Sequence, residues 1–121
     1  MKAQTTIIAL LLATAVLSDP YIQNCVNDVK GIAATSAKIK ATHVDIHLVL
    51  QLGDQVDHAI IDCGNAYRAI TSPQCKKVVT DFLNNAKGRI ARLKSDPKSA
   101  LGDVYSIVAS GNVVGSDCLG A

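Results

Sequence analysis

The sequence contains no glutamate and no tryptophan, and only 3% of its 121 residues are aromatic. The ten acidic residues are therefore all aspartates. A net charge of +2 is too small, and a hydrophobic content of 49% too large, for an intrinsically disordered chain. Eight glycines and three prolines exclude collagen-like and linker-like compositions. The length and composition indicate one ordinary globular domain.

Catalytic motifs are missing as well. No serine lies in a Gly-x-Ser-x-Gly turn, which many hydrolases use to expose their nucleophile. Asp54 and Asp57 are close enough to be neighbours on a helix, but the pattern puts them on its solvent side, where acid–base catalysis is not expected. We therefore predict that the protein is not an enzyme and uses no cofactor.

The N-terminus has the pattern of a secretory signal peptide. Lys2 precedes a run of thirteen apolar and small residues, 5–17, and polar residues follow the run. This run is too short to span a bilayer, which takes about 20 apolar residues. Cleavage is predicted after Ser18, with Ala15 as the alternative. It removes residues 1–18 and leaves a secreted single domain, 19–121, that is not transmembrane.

Capping signals predict four helices and an all-α fold. Each proline follows a residue that caps helices well, which places three helix starts at Asp19-Pro20, Ser72-Pro73 and Asp96-Pro97. Thr42 opens a Thr-x-x-Asp capping box and marks a fourth start. Apolar residues recur at three- and four-residue steps after each start, as expected for amphipathic helices.

Glycines and short connections predict how the helices end and pair. Gly64 and Gly111 are expected just after the ends of helices two and four, where a left-handed terminal residue is favoured. Helix two is thus predicted over about 43–62 and helix four over about 97–110. Short connections favour antiparallel neighbours, which gives two hairpins, 19–64 and 72–118.

The four cysteines bracket these hairpins, and an even number in a secreted chain indicates disulfides. In an antiparallel hairpin the start of the first helix lies beside the end of the second. The predicted pairs are therefore Cys25–Cys63 and Cys75–Cys118, each of which joins the open end of one hairpin. The alternative is the nested pairing Cys25–Cys118 with Cys63–Cys75.

A signal peptide, two cysteine-bracketed hairpins and the segment Asp62-Cys63-Gly64 together resemble the small secreted four-cysteine all-helical proteins of ciliate-like protists. The resemblance covers the whole mature chain. It implies a secreted helical fold and assigns no functional residues.

Three histidines and an aspartate form a polar row on the predicted second helix. His43, His47, Asp54 and His58 fall within roughly 60° of one helix face. Histidines four residues apart can share a zinc ion, with a carboxylate as a further ligand. The row is about 22 Å long, too long for one ion to reach all four side chains. We therefore predict a solvated polar face and no metal, with these four residues as weak candidates.

Charge is divided between the two hairpins. Residues 19–64 carry a net charge of −3 and residues 65–121 a net charge of +4. The candidate interaction residues lie on helix three: Lys76, Lys77, Lys87, Arg89, Arg92 and Lys94. Nucleic acid is not expected as a partner, because total charge is low and no aromatic residues interleave with the basic ones. An acidic hairpin facing a basic one, within or between molecules, fits this division. An anionic membrane surface or an anionic polysaccharide is an open alternative partner.

The pattern as a whole predicts a secreted, non-catalytic helical module that acts through protein–protein interaction. Self-assembly into an extracellular or surface structural component is the specific expectation. The alternative is a carrier of a small apolar ligand such as a lipid. The core is aliphatic, and Gly31, Gly53, Gly88 and Gly102 are expected within helices, where they would leave room.

Overall fold

The computed structural model describes residues 20–119, so the predicted signal peptide lies outside the described part of the chain. The described residues confirm the all-α prediction. Four helices follow one another: α1 (Pro20–Ser36), α2 (Ile46–Ala66), α3 (Pro73–Ser95) and α4 (Leu101–Asp117). Single 3-10 turns, Tyr67–Ala69 and Pro97–Ser99, follow α2 and α3.

The four helices pack in a closed ring. The most extensive contacts lie within the hairpins, α1 on α2 and α3 on α4, and the ring is completed by α2 on α3 and by α4 on α1. Both disulfides join the start of one helix to the end of the next, Cys25 to Cys63 and Cys75 to Cys118. Because a short connection links α2 to α3, both disulfides lie at the same end of the bundle.

An aliphatic core fills the centre of the ring. Phe82 of α3 is fully buried and is the largest side chain there. Its ring edge lies close to Gly111 of α4, and Gly111 in turn lies against Val29 of α1. Burial of each aliphatic side chain stabilises the fold by about 1.5–3 kcal/mol. The apolar spacing in the sequence thus identified the inward faces of the helices.

The first residues of α2 differ from the prediction. Asp45, not Thr42, caps this helix, since its carboxylate accepts a hydrogen bond of 2.9 Å from the backbone N–H of His47. Thr42 lies in the preceding turn, where Lys40 and His43 form an isolated backbone bridge. His43 is therefore not part of α2. The cap predicted at Ser72 is confirmed, because its hydroxyl accepts from the N–H of Cys75 at 3.2 Å.

The predictions that helices end at Gly64 and at Gly111 are both wrong. α2 continues past Gly64 to Ala66, because Cys63 and Ala66 are buried and their burial favours a further turn of helix. α4 continues past Gly111 to Asp117. A Cβ at Gly111 would lie 3.2 Å from Cβ of Val29, so this glycine allows two helices to approach closely and does not end one.

Asp96 also has a different role from the one predicted. Its backbone N–H donates to the carbonyl of Arg92, so Asp96 ends α3, and its side chain makes no capping hydrogen bond. Pro97 begins a 3-10 turn, and α4 begins only at Leu101.

Candidate functional site

The disulfides confirm the predicted pairing. Cys25 and Cys63 have their Cα atoms 4.6 Å apart, and Cys75 and Cys118 have theirs 4.9 Å apart. All four cysteines are buried, and none is free. Two structural disulfides in a small domain are typical of an oxidising, extracellular-type environment.

The two arginines of the predicted basic surface bind α4. Nη1 of Arg89 lies 2.9 Å from Oδ1 of Asp103, and Nε of Arg92 lies 3.5 Å from Oδ2 of the same residue. The Asp103 side chain is only 8% exposed. Asn85 extends the network, since it accepts from Nε of Arg89 at 2.7 Å and donates to the Ser106 hydroxyl at 3.1 Å. The arginine charges are thus partly compensated within the molecule.

Three lysines lie on the opposite edge of α3, towards α2. Lys76, Lys87 and Lys94 fall within roughly 20° on a helical wheel, and we call them the α3 lysine edge. Lys94 forms an ion pair with Asp57 of α2, and Nζ of Lys76 lies 5.4 Å from the ring centre of Tyr67. Lys87 is exposed and has no ion-pair partner among residues 20–119.

Lys77 faces away from both edges. It pairs with Asp81 one turn later at 3.3 Å, and both side chains are well exposed. The six basic residues predicted as one surface are therefore divided among three directions around α3.

The outward face of α2 combines apolar and acidic side chains. Five residues fall within roughly 80° of the helix, and we call them the α2 stripe: Ile46, Leu50, Asp54, Asp57 and Ile61. Ile46, Leu50 and Ile61 are 41%, 38% and 61% exposed. Asp54 is exposed and has no ion-pair partner in the described part of the chain. The sequence pattern drew attention to the histidines of this helix and missed its exposed apolar residues.

The weak metal candidates are not brought together. His47, Asp54 and His58 lie exposed along α2, whereas His43 lies in the turn before it. Within residues 20–119 no three His, Cys or Asp side chains are arranged to hold a metal ion. His58 instead lines an open cleft of about 270 Å³ with Asp54, Asp57 and Ile61.

A pair of carboxyl groups between α1 and α2 was also not predicted from the sequence. Burial raises the pKa of Asp28 to about 7, and a hydrogen bond and the negative charge of Asp62 add to this increase. Oδ2 of Asp28 and Oε1 of Gln55 are buried and have no hydrogen-bond partner in the described structure. The predicted pairing of Cys25 with Cys63 could have indicated this pair. Asp28 lies one helical turn after Cys25, and Asp62 directly precedes Cys63.

The sequence matches no family model, and no curated protein or solved structure is significantly similar to it. The resemblance to four-cysteine helical proteins of ciliate-like protists therefore stays a prediction. Within residues 20–119, no helix has the length and apolar character needed to cross a membrane.

Proposed function

We propose that this chain is a secreted, non-catalytic module whose copies associate with each other through the α2 stripe and the α3 lysine edge. The observation that carries the proposal is the exposure of Ile46, Leu50 and Ile61 on one face of α2. Exposed apolar residues that share one face and are bordered by charge are typical of protein–protein contacts.

Charge complementarity favours a second copy as the partner. Asp54 of the α2 stripe and Lys87 of the α3 lysine edge both lack an ion-pair partner among the described residues. Within one molecule, Asp57 and Lys94 already pair across the same two helices. In a two-fold contact the stripe of each copy would face the lysine edge of the other, because such an interface uses the same surface on both partners.

Secretion is part of the proposal and is supported by two features. Residues 1–18 have the pattern of a cleavable signal peptide. The two disulfides fit the oxidising environment that a secreted chain enters. An extracellular or surface structural role is consistent with a small, cross-linked module.

Transport of an apolar ligand stays the alternative, but three of the four glycines that motivated it give it no support. A Cβ at Gly53 would lie 3.8 Å from Cβ of Leu93, so this glycine packs against α3. Gly88 and Gly102 have no atom within 4 Å of an added Cβ and therefore face outwards. Native mass spectrometry of protein from its source tests this alternative directly, because a bound lipid adds its mass to the chain.

The self-association proposal is tested by charge reversal in the disulfide-intact chain 19–121. We expect Asp54→Lys or Lys87→Asp to weaken association at least about tenfold, because each places like charges opposite each other. The double variant restores the opposite charges and is expected to recover most of the affinity. Size-exclusion chromatography with light scattering measures the effect.

Lys30→Asp is the matched control. Lys30 is exposed on α1, and its reversal changes the net charge as Lys87→Asp does. A wild-type chain that stays monomeric, or a control that weakens association as much as Lys87→Asp, would contradict the proposed contact.

A further inference from the structure

Two carboxyl groups are held together between α1 and α2. Asp28 lies one helical turn from Cys25, and Asp62 is the neighbour of Cys63 in sequence. The disulfide keeps the Cα atoms of these cysteines 4.6 Å apart, so the two helices cannot separate here to relieve repulsion between the carboxyl groups. A small cleft of about 180 Å³ beside Asp28 is lined by Asn27, Gly31, Gln55 and His58.

The hydrogen bonding of this pair requires a proton. The carboxyl groups of Asp28 and Asp62 are close enough for a hydrogen bond between them, yet a pair of ionised carboxylates has only acceptors. Oδ2 of Asp28 is buried and has no donor among the described residues. A proton on one carboxyl group supplies the missing donor.

We propose that Asp28 and Asp62 share one proton at neutral pH and that loss of this proton loosens the packing of α1 on α2. The pair then acts as a proton lock, which holds the first hairpin closed in mildly acidic surroundings and weakens it in alkaline ones. This inference does not depend on self-association.

Among the described residues, no lysine or arginine compensates the negative charge of Asp28 or Asp62 in place of the proton. Neither carboxyl group has an ion pair with a lysine or arginine of the described chain, including Lys30 of α1 and Arg68 of the 3-10 turn. The acidic groups of α4 are engaged with α3, since Asp103 binds its arginines and Asp117 accepts from Gln74. His58 of α2 lines the same cleft and is the one other titratable group beside Asp28 there.

The direction of the pH effect follows from linkage. The pKa of Asp28 is raised to about 7 in the fold from an ordinary value of 3.8. A raised pKa means that the folded state binds the proton more tightly than the unfolded state does. The stabilisation is fully present below pH 3.8 and is lost as the pH rises through about 7. Ordinary salt-bridged carboxylates have the opposite dependence.

Thermal unfolding of the disulfide-intact chain 19–121 between about pH 6 and pH 8 tests the lock. We expect the melting temperature of the wild type to fall by about 5 °C over this range. Asp28→Asn carries a permanent donor in place of the proton and should remove most of this fall. At pH 8 this variant should be at least as stable as the wild type.

Two controls separate the pair from other titrating groups. Asp81→Asn removes an exposed carboxylate of α3, and His58→Gln removes the histidine of the same cleft. Both are expected to keep the fall of the wild type. A wild-type melting temperature that does not fall, or a fall that disappears with His58→Gln but persists in Asp28→Asn, would overturn the proposal.

A direct readout covers the case in which Asp28→Asn does not fold. Carbon-13 NMR of the aspartate carboxyl groups in the wild type should show one group that titrates near pH 7. A spectrum in which every carboxyl group titrates below about pH 5 would also overturn the proposal.

Discussion

Arg89 of α3 and Asp103 of α4 form an ion pair at 2.9 Å in which the carboxylate is almost buried and the arginine is 42% exposed. Asp103→Ala removes the shared partner of Arg89 and Arg92. We expect this variant to lower the free energy of unfolding by about 2 kcal/mol. The loss is smaller than for a fully buried ion pair, because both arginine side chains can turn to water. Urea denaturation measures the change.

The matched control for this pair is Asp81→Ala. Its ion pair with Lys77 is exposed on both sides, so the loss should stay below about 0.5 kcal/mol. Equal effects of the two variants would show that Asp103 does not hold α4 against α3.

Gly111 and Gly88 offer a second matched pair, since both lie within helices. Gly111→Ala brings a Cβ to 3.2 Å from Val29 and 3.5 Å from Phe82, and we expect a net loss of about 1–2 kcal/mol from overpacking. Gly88→Ala meets open space and should gain up to about 1 kcal/mol from helix propensity. Thermal unfolding of the two variants should therefore shift in opposite directions. A stabilising Gly111→Ala would mean that α1 and α4 do not approach closely at this residue.

Two variants at the start of α2 distinguish Asp45, the cap found in the structure, from Thr42, the cap predicted from the sequence. Asp45→Ala removes the acceptor for the N–H of His47 and should lower stability by about 1 kcal/mol. Thr42→Ala should change stability by less than about 0.5 kcal/mol, because Thr42 is exposed in the preceding turn. Chemical denaturation of both variants checks this expectation, and the reverse order of effects would restore the capping box at Thr42.

Local signals in the sequence were sufficient for much of the fold. Ser72 caps α3 as predicted, because the cap and the following proline act within a few residues of each other. The pairing of Cys25 with Cys63 followed from the hairpin order alone. Such predictions succeed because they depend on neighbours in the chain or on the simplest antiparallel path.

The errors concern residues whose role depends on distant partners. A glycine such as Gly111 is typical of a helix end, but here it packs against Val29 of another helix. A local sequence pattern does not include such a distant contact. The basic residues of α3 form one group in sequence, yet packing directs Arg89 to α4 and Lys94 to α2. The exposed apolar residues of α2 were not recognised, because periodicity alone does not tell which apolar side chains remain outside the core.

Sedimentation velocity of the mature, disulfide-bonded chain over a concentration series, at low and at high salt, tests self-association most directly. We expect a dimer or larger assembly at low salt that dissociates as salt screens the contact between Asp54 and Lys87 of different copies. We also expect Lys87→Asp to sediment as a monomer where the wild type does not. A wild-type chain that sediments as a monomer at every concentration and salt would contradict it.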